Sequence, residues 1–379
     1  MNLSKYIEKI KVLKTSDLIF IVQMSTGFFP ILLYNTDNYL EIEKFLLVSG
    51  IINAYFFGLF VNSSVFVVNR FQSFWKDYLI GNLFCLTIVF ILLILFNSFF
   101  ETEYSNTFII LSYFIAIRNS IFAVILTLGL FRYLLLIEII STILLLLAYL
   151  LMIVFPLNDI FLLSSYFLYI SPLLFFIIRL LIIKKWKLKF DYKNWFSGYL
   201  DPLANGLLVN IPRLIILESN IVGKSLYLIY TRFSFAFISL SSQLFWARTT
   251  RFLSKEFYFK KFGKTKTYVN FSIIIIIMSV ISIIIFKYNP NPIIYVSSLI
   301  LVFLSLILPM TFLRYKKSAI ERSIFFGVLA FLLTINVQTD MFKFFLLVSI
   351  SSIATTFYII FYIRYSNHKL KNKSGVNEK

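Results

Sequence analysis

The amino-acid sequence predicts an all-α protein that crosses a membrane many times, in about twelve helices. Of its 379 residues, 60% are hydrophobic and only 14% are charged. A soluble domain is roughly 45–50% apolar and about 25% charged, and a soluble fold could not bury such a surplus. The apolar residues also lie in continuous runs of the length that crosses a bilayer as a helix. Strands of a membrane barrel would alternate instead, so helices are expected.

Twelve apolar runs are long enough to be membrane spans, and ten or eleven spans are the alternative counts. Their approximate bounds are 17–35, 45–68, 78–97, 107–129, 133–155, 160–183, 198–217, 223–245, 268–287, 293–312, 323–339 and 341–363. Six runs precede the polar connection at 184–197 and six follow it. We therefore predict an N-terminal six-helix lobe over 1–190, a C-terminal six-helix lobe over 191–367 and a polar cytoplasmic tail over 368–379.

The first apolar run follows four lysines, as it would in a signal sequence. These are Lys5, Lys9, Lys11 and Lys14. No small-residue cleavage site follows them, and the run continues to the length of a full span. We therefore expect a retained first helix rather than a cleaved leader.

The distribution of basic residues predicts that both termini are cytoplasmic. With the N-terminus inside, the inner connections hold 28 of the 36 Lys and Arg residues, the outer loops hold four and the spans hold four. Acidic residues lean to the outer loops, and the first of these is predicted to carry Glu41, Glu43 and Lys44. This asymmetry follows the positive-inside rule in every alternate loop. The net charge of +19 is accordingly interpreted as membrane orientation and not as nucleic-acid binding.

Residue content excludes several kinds of chemistry. The chain has one cysteine, Cys85, and one histidine, His368, which lies in the polar tail. Disulfides, cysteine-rich metal sites and a membrane-embedded histidine base are therefore excluded. No P-loop, dinucleotide fingerprint or paired-carboxylate motif occurs, and the short loops leave no room for a soluble catalytic domain. We expect a transporter without a cofactor or a metal rather than an enzyme.

Arginines inside the predicted spans are the first candidate functional residues. Arg118 and Arg232 lie near the middle of the fourth and eighth spans, and Arg213 follows Pro212 in the outer part of the seventh. An arginine at the bilayer centre costs about 2.5–3.5 kcal/mol on insertion scales, so it usually faces a cavity or a partner. Its donor fork matches phosphate oxygens, which favours a cationic cavity for an anionic substrate. The alternative is internal pairing, for example with Glu138, although the sequence places Arg118 and Glu138 roughly 9 Å apart in depth.

Uncharged polar residues in the first, second, seventh and eighth spans are the second set of candidates. They are Gln23, Asn53, Asn62, Asn205, Asn210 and Gln243. Sugar hydroxyls need donors and acceptors of this kind. The alternative is hydrogen bonding between helices, which contributes about 0.6 kcal/mol on average. Their concentration in the first two helices of each half favours substrate binding.

Three stretches of the chain resemble a known family of membrane transporters. The stretch 205–255 contains, in order, an Asn, the helix end Arg-Leu-Ile, a short Gly-containing loop, a Ser-rich span and a basic Leu-Ser-Lys. The stretch 115–152 contributes Arg118, Gly129 and a long aliphatic hairpin, and 17–70 contributes Gln23 and Asn-Ser-Ser at the end of its second helix. These features resemble the polysaccharide repeat-unit flippases (O-antigen translocases) of the multidrug/oligosaccharidyl-lipid/polysaccharide exporter superfamily.

The chain also departs from this family pattern in its last two predicted helices, which are short and featureless, and at two further places. Pro212 stands where the family often has an acidic residue before the Arg-Leu-Ile arginine. The loop between the first two helices, Thr36 to Lys44, lacks the usual glycine. The resemblance therefore concerns the layout of the whole chain and the residues of about a quarter of it.

The resemblance implies a two-lobed helical bundle around a central cavity in the bacterial cytoplasmic (inner) membrane. The substrate would be an undecaprenyl-diphosphate-linked oligosaccharide repeat unit, moved from the inner to the outer leaflet by alternating access for O-antigen or other surface polysaccharide, including lipopolysaccharide. The arginines would receive the diphosphate and acidic sugars, and the polar helix faces would bind the sugars. Membrane lipids and a glycan polymerase of the same pathway would be further partners.

Two other functional classes stay open at the level of the sequence. A membrane polymerase of the same glycan pathway would carry a large outer loop, and a membrane acyltransferase would need a buried histidine. A drug or cation antiporter of the same superfamily would need a membrane-embedded carboxylate as its coupling site. Glu138 is the candidate for that role.

Overall fold

The computed structural model describes fourteen stretches of the chain. They are 15, 18–36, 38–60, 75–100, 106–155, 158–182, 187, 189–190, 192–219, 223–238, 262–289, 291–315, 319–335 and 340–374. Over these residues the protein is 93% helical and contains no strand. The predicted all-α class is confirmed for this part of the chain.

A helix occurs at the position of each predicted apolar run, within the ranges that the structure describes. In chain order they are α1 over 18–26 with a 3₁₀ turn at Phe29–Leu33, α2 at Asn38–Phe60, α3 at Trp75–Phe100, α4 at Asn106–Thr127, α5 at Phe131–Val154, α6 at Asp159–Ile182, α7 at Tyr192–Glu218, α8 over 224–238, α9 at Phe262–Tyr288, α10 at Pro292–Tyr315, α11 at Ala319–Ile335 and α12 at Met341–Ser374. The helices α2, α7 and α9 begin six or seven residues before the predicted runs, and α12 ends eleven residues after its run.

Six of the described helices are long and apolar enough to cross a membrane. They contain the segments Asn38–Phe60, Trp75–Phe99, Asn106–Leu126, Phe131–Val154, Asp159–Arg179 and Met341–Tyr358. Shorter apolar helices lie at Leu18–Leu33, Ser272–Tyr288, Pro292–Leu306 and Ile324–Ile335. These helices support a multi-pass membrane protein, whereas the count of twelve spans stays a prediction.

The chain divides into two compact units, Met1–Leu217 and Glu218–Lys379. The first unit includes α1 to α7, and the second includes α8 to α12. Helix α7 was predicted to open the C-terminal lobe, and by its contacts it belongs with the six helices before it. The bounds of the predicted lobes stay a prediction.

A tight hairpin joins α4 to α5 in the first unit. Gly129 has a φ of 76°, a left-handed conformation that glycine adopts without strain, and its N–H donates to Leu126 O at 3.1 Å. The connection therefore needs only three residues between Thr127 and Phe131. The hairpin packs with α6 around a buried core that includes Ile121, Val124, Ile125, Leu134, Leu173 and Ile177.

Helix α2 contains a π-helical turn at Asn53–Phe57. The Gly58 N–H donates to Asn53 O, five residues back, in place of the four-residue spacing of an α-helix. At the end of this turn and beyond it, α2 packs against α3 and α4 through a buried cluster of Phe57, Phe60, Leu86 and Ala116. The turn thus lies between the two parts of α2.

The connection between α6 and α7 contacts the beginning of α3. The Lys187 N–H donates to Asp77 Oδ1 at 3.0 Å, and Lys189 Nζ lies 3.5 Å from Asp77 Oδ2. A Cβ atom at Gly81 would collide with the Lys189 carbonyl, so this approach requires glycine.

Buried hydroxyls join the helices of the second unit. The Oγ atoms of Ser282 in α9 and Ser298 in α10 lie 2.6 Å apart. Ser305 Oγ of α10 donates to Ser352 Oγ of α12 at 2.9 Å. Small hydroxyl residues allow close helix approach and hydrogen-bond across the interface, as is usual for helices in lipid.

Candidate functional site: two buried arginine–glutamate pairs

Arg118 of α4 and Glu138 of α5 form a buried ion pair. Arg118 Nη2 donates to Glu138 Oε2, and the two residues are 6% and 0% exposed. The internal pairing that the sequence left open is therefore present, at a residue that was also the first candidate for substrate binding.

The depths of Arg118 and Glu138 match much better than the sequence indicates. Arg118 lies nine residues before the end of α4, and Glu138 lies seven residues after the start of α5. At about 1.5 Å per residue, their depths differ by roughly 3 Å. The estimate of roughly 9 Å was wrong because it extended α4 to the start of α5 and so ignored the connection at 128–130.

Four helices converge on this pair, hereafter the Arg118 site. The Tyr169 ring of α6 lies 4.3 Å from Arg118 Cζ, and the Phe122 ring of α4 lies 5.8 Å from it. Gln23 of α1 faces the Glu138 carboxylate. The aromatic rings place negative π-faces beside the guanidinium, an arrangement that holds a cation in an apolar environment. The predicted candidates Gln23 and Arg118 are therefore brought together.

A second buried ion pair joins α7 to α2. Arg213 Nη2 donates to Glu43 Oε2 at 2.5 Å, and the residues are 8% and 0% exposed. The prediction that Glu43 lies in an outer loop is wrong, because α2 begins at Asn38. The predicted bounds did not indicate this pair, because the second span was predicted to begin at 45, beyond Glu43. In the structure Glu43 lies five residues after the start of α2, and Arg213 lies five residues before the end of α7.

The interface between α2 and α7 also contains Asn210. Its side chain packs against Gly50, where a Cβ atom would lie 2.9 Å from Asn210 Oδ1. Its Nδ2 donates to Gly206 O of its own helix at 2.8 Å. Gly206 in turn approaches Ala54 so closely that a Cβ atom there would lie 2.5 Å from the Ala54 Cβ. In this structure Asn210 fills the helix interface and is 7% exposed.

The other predicted site residues are distributed over the chain. Asn53 and Asn205 are half-buried in α2 and α7, and Asn53 begins the π-helical turn. Arg232 is half-buried in α8, within the second unit. Asn62 and Gln243 lie outside the described residues.

Two residues of these sites were not singled out from the sequence as site residues. Glu43 was assigned to a loop, because the second span was predicted to begin at 45 and its depth could not be compared with that of Arg213. Tyr169 had no distinguishing signal, because the chain has 23 tyrosines and a further 46 phenylalanines in similar apolar contexts. Only the fold reveals which aromatic ring lies over Arg118.

Comparison with protein-family models, curated proteins and solved structures gives no match to this chain. The chemistry of the two pairs is therefore interpreted from their own geometry. Each pair places a permanently charged donor beside a carboxyl group in a buried position. An arginine held in this way can exchange its carboxylate for another oxyanion, because the same donors match carboxylate and phosphate oxygens.

Proposed function

We propose that this protein is a flippase that moves an undecaprenyl-diphosphate-linked oligosaccharide from the inner to the outer leaflet. The observation that carries the proposal is Arg118, a buried arginine where four helices converge in the first unit. A protein that needed only stable helices would have little reason to bury this cation and its partner, since replacing a buried ion pair by apolar residues is often neutral or stabilising. An arginine kept there at such a cost is explained by an anionic substrate that crosses the membrane.

The proposal includes the finer features expected from the sequence. The protein would lie in the bacterial inner membrane with both termini cytoplasmic, and twelve spans in two lobes would surround a central cavity with alternating access. Arg118, Arg213 and Arg232 would receive the diphosphate and acidic sugars. The sugars would be bound by Gln23, Asn53, Asn62, Asn205, Asn210 and Gln243.

A specific observation favours a cation or drug antiporter as the second candidate. Such a transporter needs a carboxylate within its helices, and among the described residues Glu43 and Glu138 are helical and fully buried. Each carboxylate could then alternate between its arginine and a transported cation.

Replacement of the central arginines tests the flippase proposal. In cells that depend on this protein for surface glycan, Arg118→Ala and Arg232→Ala should each reduce glycan display while the protein still inserts. Arg179→Ala is the matched control, because Arg179 is exposed in the last turn of α6. Glycan display is measured by surface labelling, and insertion by the amount of folded protein in the membrane fraction.

Three outcomes separate the candidates. Loss of glycan display in the two central variants, but not in Arg179→Ala, supports the flippase. Normal display in both central variants refutes it. If display is normal and Glu138→Gln instead makes the cells sensitive to cationic drugs, the antiporter takes its place.

A further inference from the structure

We infer that the Glu138 carboxylate occupies the anion site at Arg118 while no substrate is bound. When an anionic oxygen of the substrate arrives, Glu138 leaves the guanidinium. The inference rests on the proposed function only for the identity of that substrate, a lipid-linked diphosphate. It assigns to Glu138 the regulation of the site, because substrate must compete with a carboxylate that is part of the protein.

The contact between Arg118 and Glu138 is a single-point contact. Among the described residues, it uses one guanidinium nitrogen and one carboxylate oxygen. The second oxygen, Glu138 Oε1, is buried and has no hydrogen-bond partner among the residues that the structure describes, although Gln23 faces the carboxylate. A permanent Arg–carboxylate bridge is commonly bidentate, with two parallel N–H···O bonds. A diphosphate offers more oxygens to the same fork than Glu138 uses.

Arg118 is held in place independently of Glu138. The Tyr169 ring lies 4.3 Å from its Cζ, and Phe122 contributes a second ring at 5.8 Å. Cation–π contacts of this kind are stronger where water is excluded. The guanidinium can therefore keep its position while its anionic partner changes.

Glu138 has other donors within reach when it leaves the guanidinium. Thr142 lies one helical turn further along α5, and its buried hydroxyl has no hydrogen-bond partner within the part of the chain that the structure describes. The Gln23 side chain already faces the carboxylate. Both groups can donate to a carboxylate, so the displaced Glu138 would not be left without hydrogen bonds.

The pair between Arg213 and Glu43 differs from the Arg118 site in the other contacts of its two residues. Both residues make further interactions besides the ion pair. Helix packing at Gly50 and Gly206 also surrounds it closely. The inference is therefore restricted to the Arg118 site.

Diphosphate binding to the purified full-length protein tests the inference. The probes are inorganic diphosphate and farnesyl diphosphate, and the measurements are thermal unfolding and the apparent Kd. A competitor that occupies the site for about nine-tenths of the time weakens the apparent affinity about tenfold. Glu138→Gln should therefore unfold at a lower temperature than the wild type without ligand, bind diphosphate about tenfold more tightly and regain stability when it binds. Asp159→Asn is the control variant, because it makes the same carboxylate-to-amide change at a residue that accepts a hydrogen bond from the Thr107 hydroxyl. It should bind diphosphate like the wild type.

Two further variants test the mechanism without removing the carboxylate. Arg118→Lys keeps the charge but lacks the fork, and it should bind both probes more weakly. Thr142→Val should keep the unfolding temperature of the ligand-free protein and weaken diphosphate binding, since it removes only the donor that receives the displaced Glu138. This variant keeps the inference falsifiable even if Glu138→Gln does not fold.

The outcomes are distinct from those for the proposed function. Tighter diphosphate binding by Glu138→Gln than by the wild type supports the inference. Binding of farnesyl diphosphate alone identifies a lipid headgroup as the ligand, and binding of both probes identifies the diphosphate itself. Equal affinity of Glu138→Gln and the wild type, or unchanged binding by Thr142→Val, overturns it. If diphosphate binds as expected but Arg118→Ala leaves glycan display normal, the site stands and the flippase does not.

Discussion

The ion pair between Glu43 and Arg213 should contribute strongly to the stability of the first unit. The side chains are 0% and 10% exposed, and their charged atoms are 2.5 Å apart. Two unit charges about 4 Å apart attract by about 4 kcal/mol at an effective dielectric constant of about 20. Removing one partner leaves the other charge buried and unpaired, which typically costs about 3–5 kcal/mol. Glu43→Leu and Arg213→Met should each lower the free energy of unfolding by roughly that amount.

The double variant provides the decisive comparison. With both charges replaced by apolar side chains of similar size, neither is left buried alone, so Glu43→Leu/Arg213→Met should lose far less stability than the sum of the single variants. We expect a coupling energy above about 2 kcal/mol, measured by denaturant unfolding of the purified protein in mixed micelles. Additive single effects would refute a direct pair between α2 and α7.

The pair between Asp77 and Lys189 is a matched control for this cycle. Its charged atoms are 3.5 Å apart, and its side chains are 15% and 36% exposed. Solvent screening limits such pairs to about 0.2–1 kcal/mol. The same double-mutant cycle at this surface should give a coupling energy several times smaller than that for Glu43 and Arg213.

Two other predictions concern helix packing and topology. Gly206→Val should lower the unfolding temperature, because even a Cβ atom at this position would lie 2.5 Å from the Ala54 Cβ. Ala54→Gly in the same chain should restore part of that temperature. If it restores none, the close approach of α2 and α7 is contradicted. Reporter fusions placed after Lys193 and after Lys266 should both report the cytoplasm, and an external signal at either position would contradict the predicted orientation.

The positions of the helices could be predicted from the sequence because long apolar runs are a strong local signal. Their ends are less well determined by hydropathy. Helix α2 begins at Asn38 although Glu41, Glu43 and Lys44 lower the local hydropathy there, and the pairing of Glu43 explains how its charge is tolerated within the helix. Helix α12 continues to Ser374 through a polar segment that an apolar window does not include.

The ion pairs could be predicted only in part. Arg118 was identified because an arginine within an apolar run is costly, and Glu138 was considered as its partner. The agreement of their depths depends on the three-residue connection around Gly129, which a hydropathy window does not resolve. The contact with Tyr169 depends on which face of α6 packs against α4, and that information is distributed over the whole core of the first unit.

The π-helical turn of α2 has a consequence for how its two parts are related. Each residue of an α-helix advances the side-chain direction by about 100°, and a π-helical turn contains in effect one residue more than an α-helical turn. Before Asn53, Glu43 and Gly50 lie against α7, and Phe45 and Ser49 lie against Phe108 of α4. At the end of the turn and beyond it, Phe57 and Phe60 pack on α3 and α4. The extra residue thus acts as a phase shift, so that the number of residues between 53 and 57, as well as their identity, determines which residues of the second part of α2 contact α3 and α4.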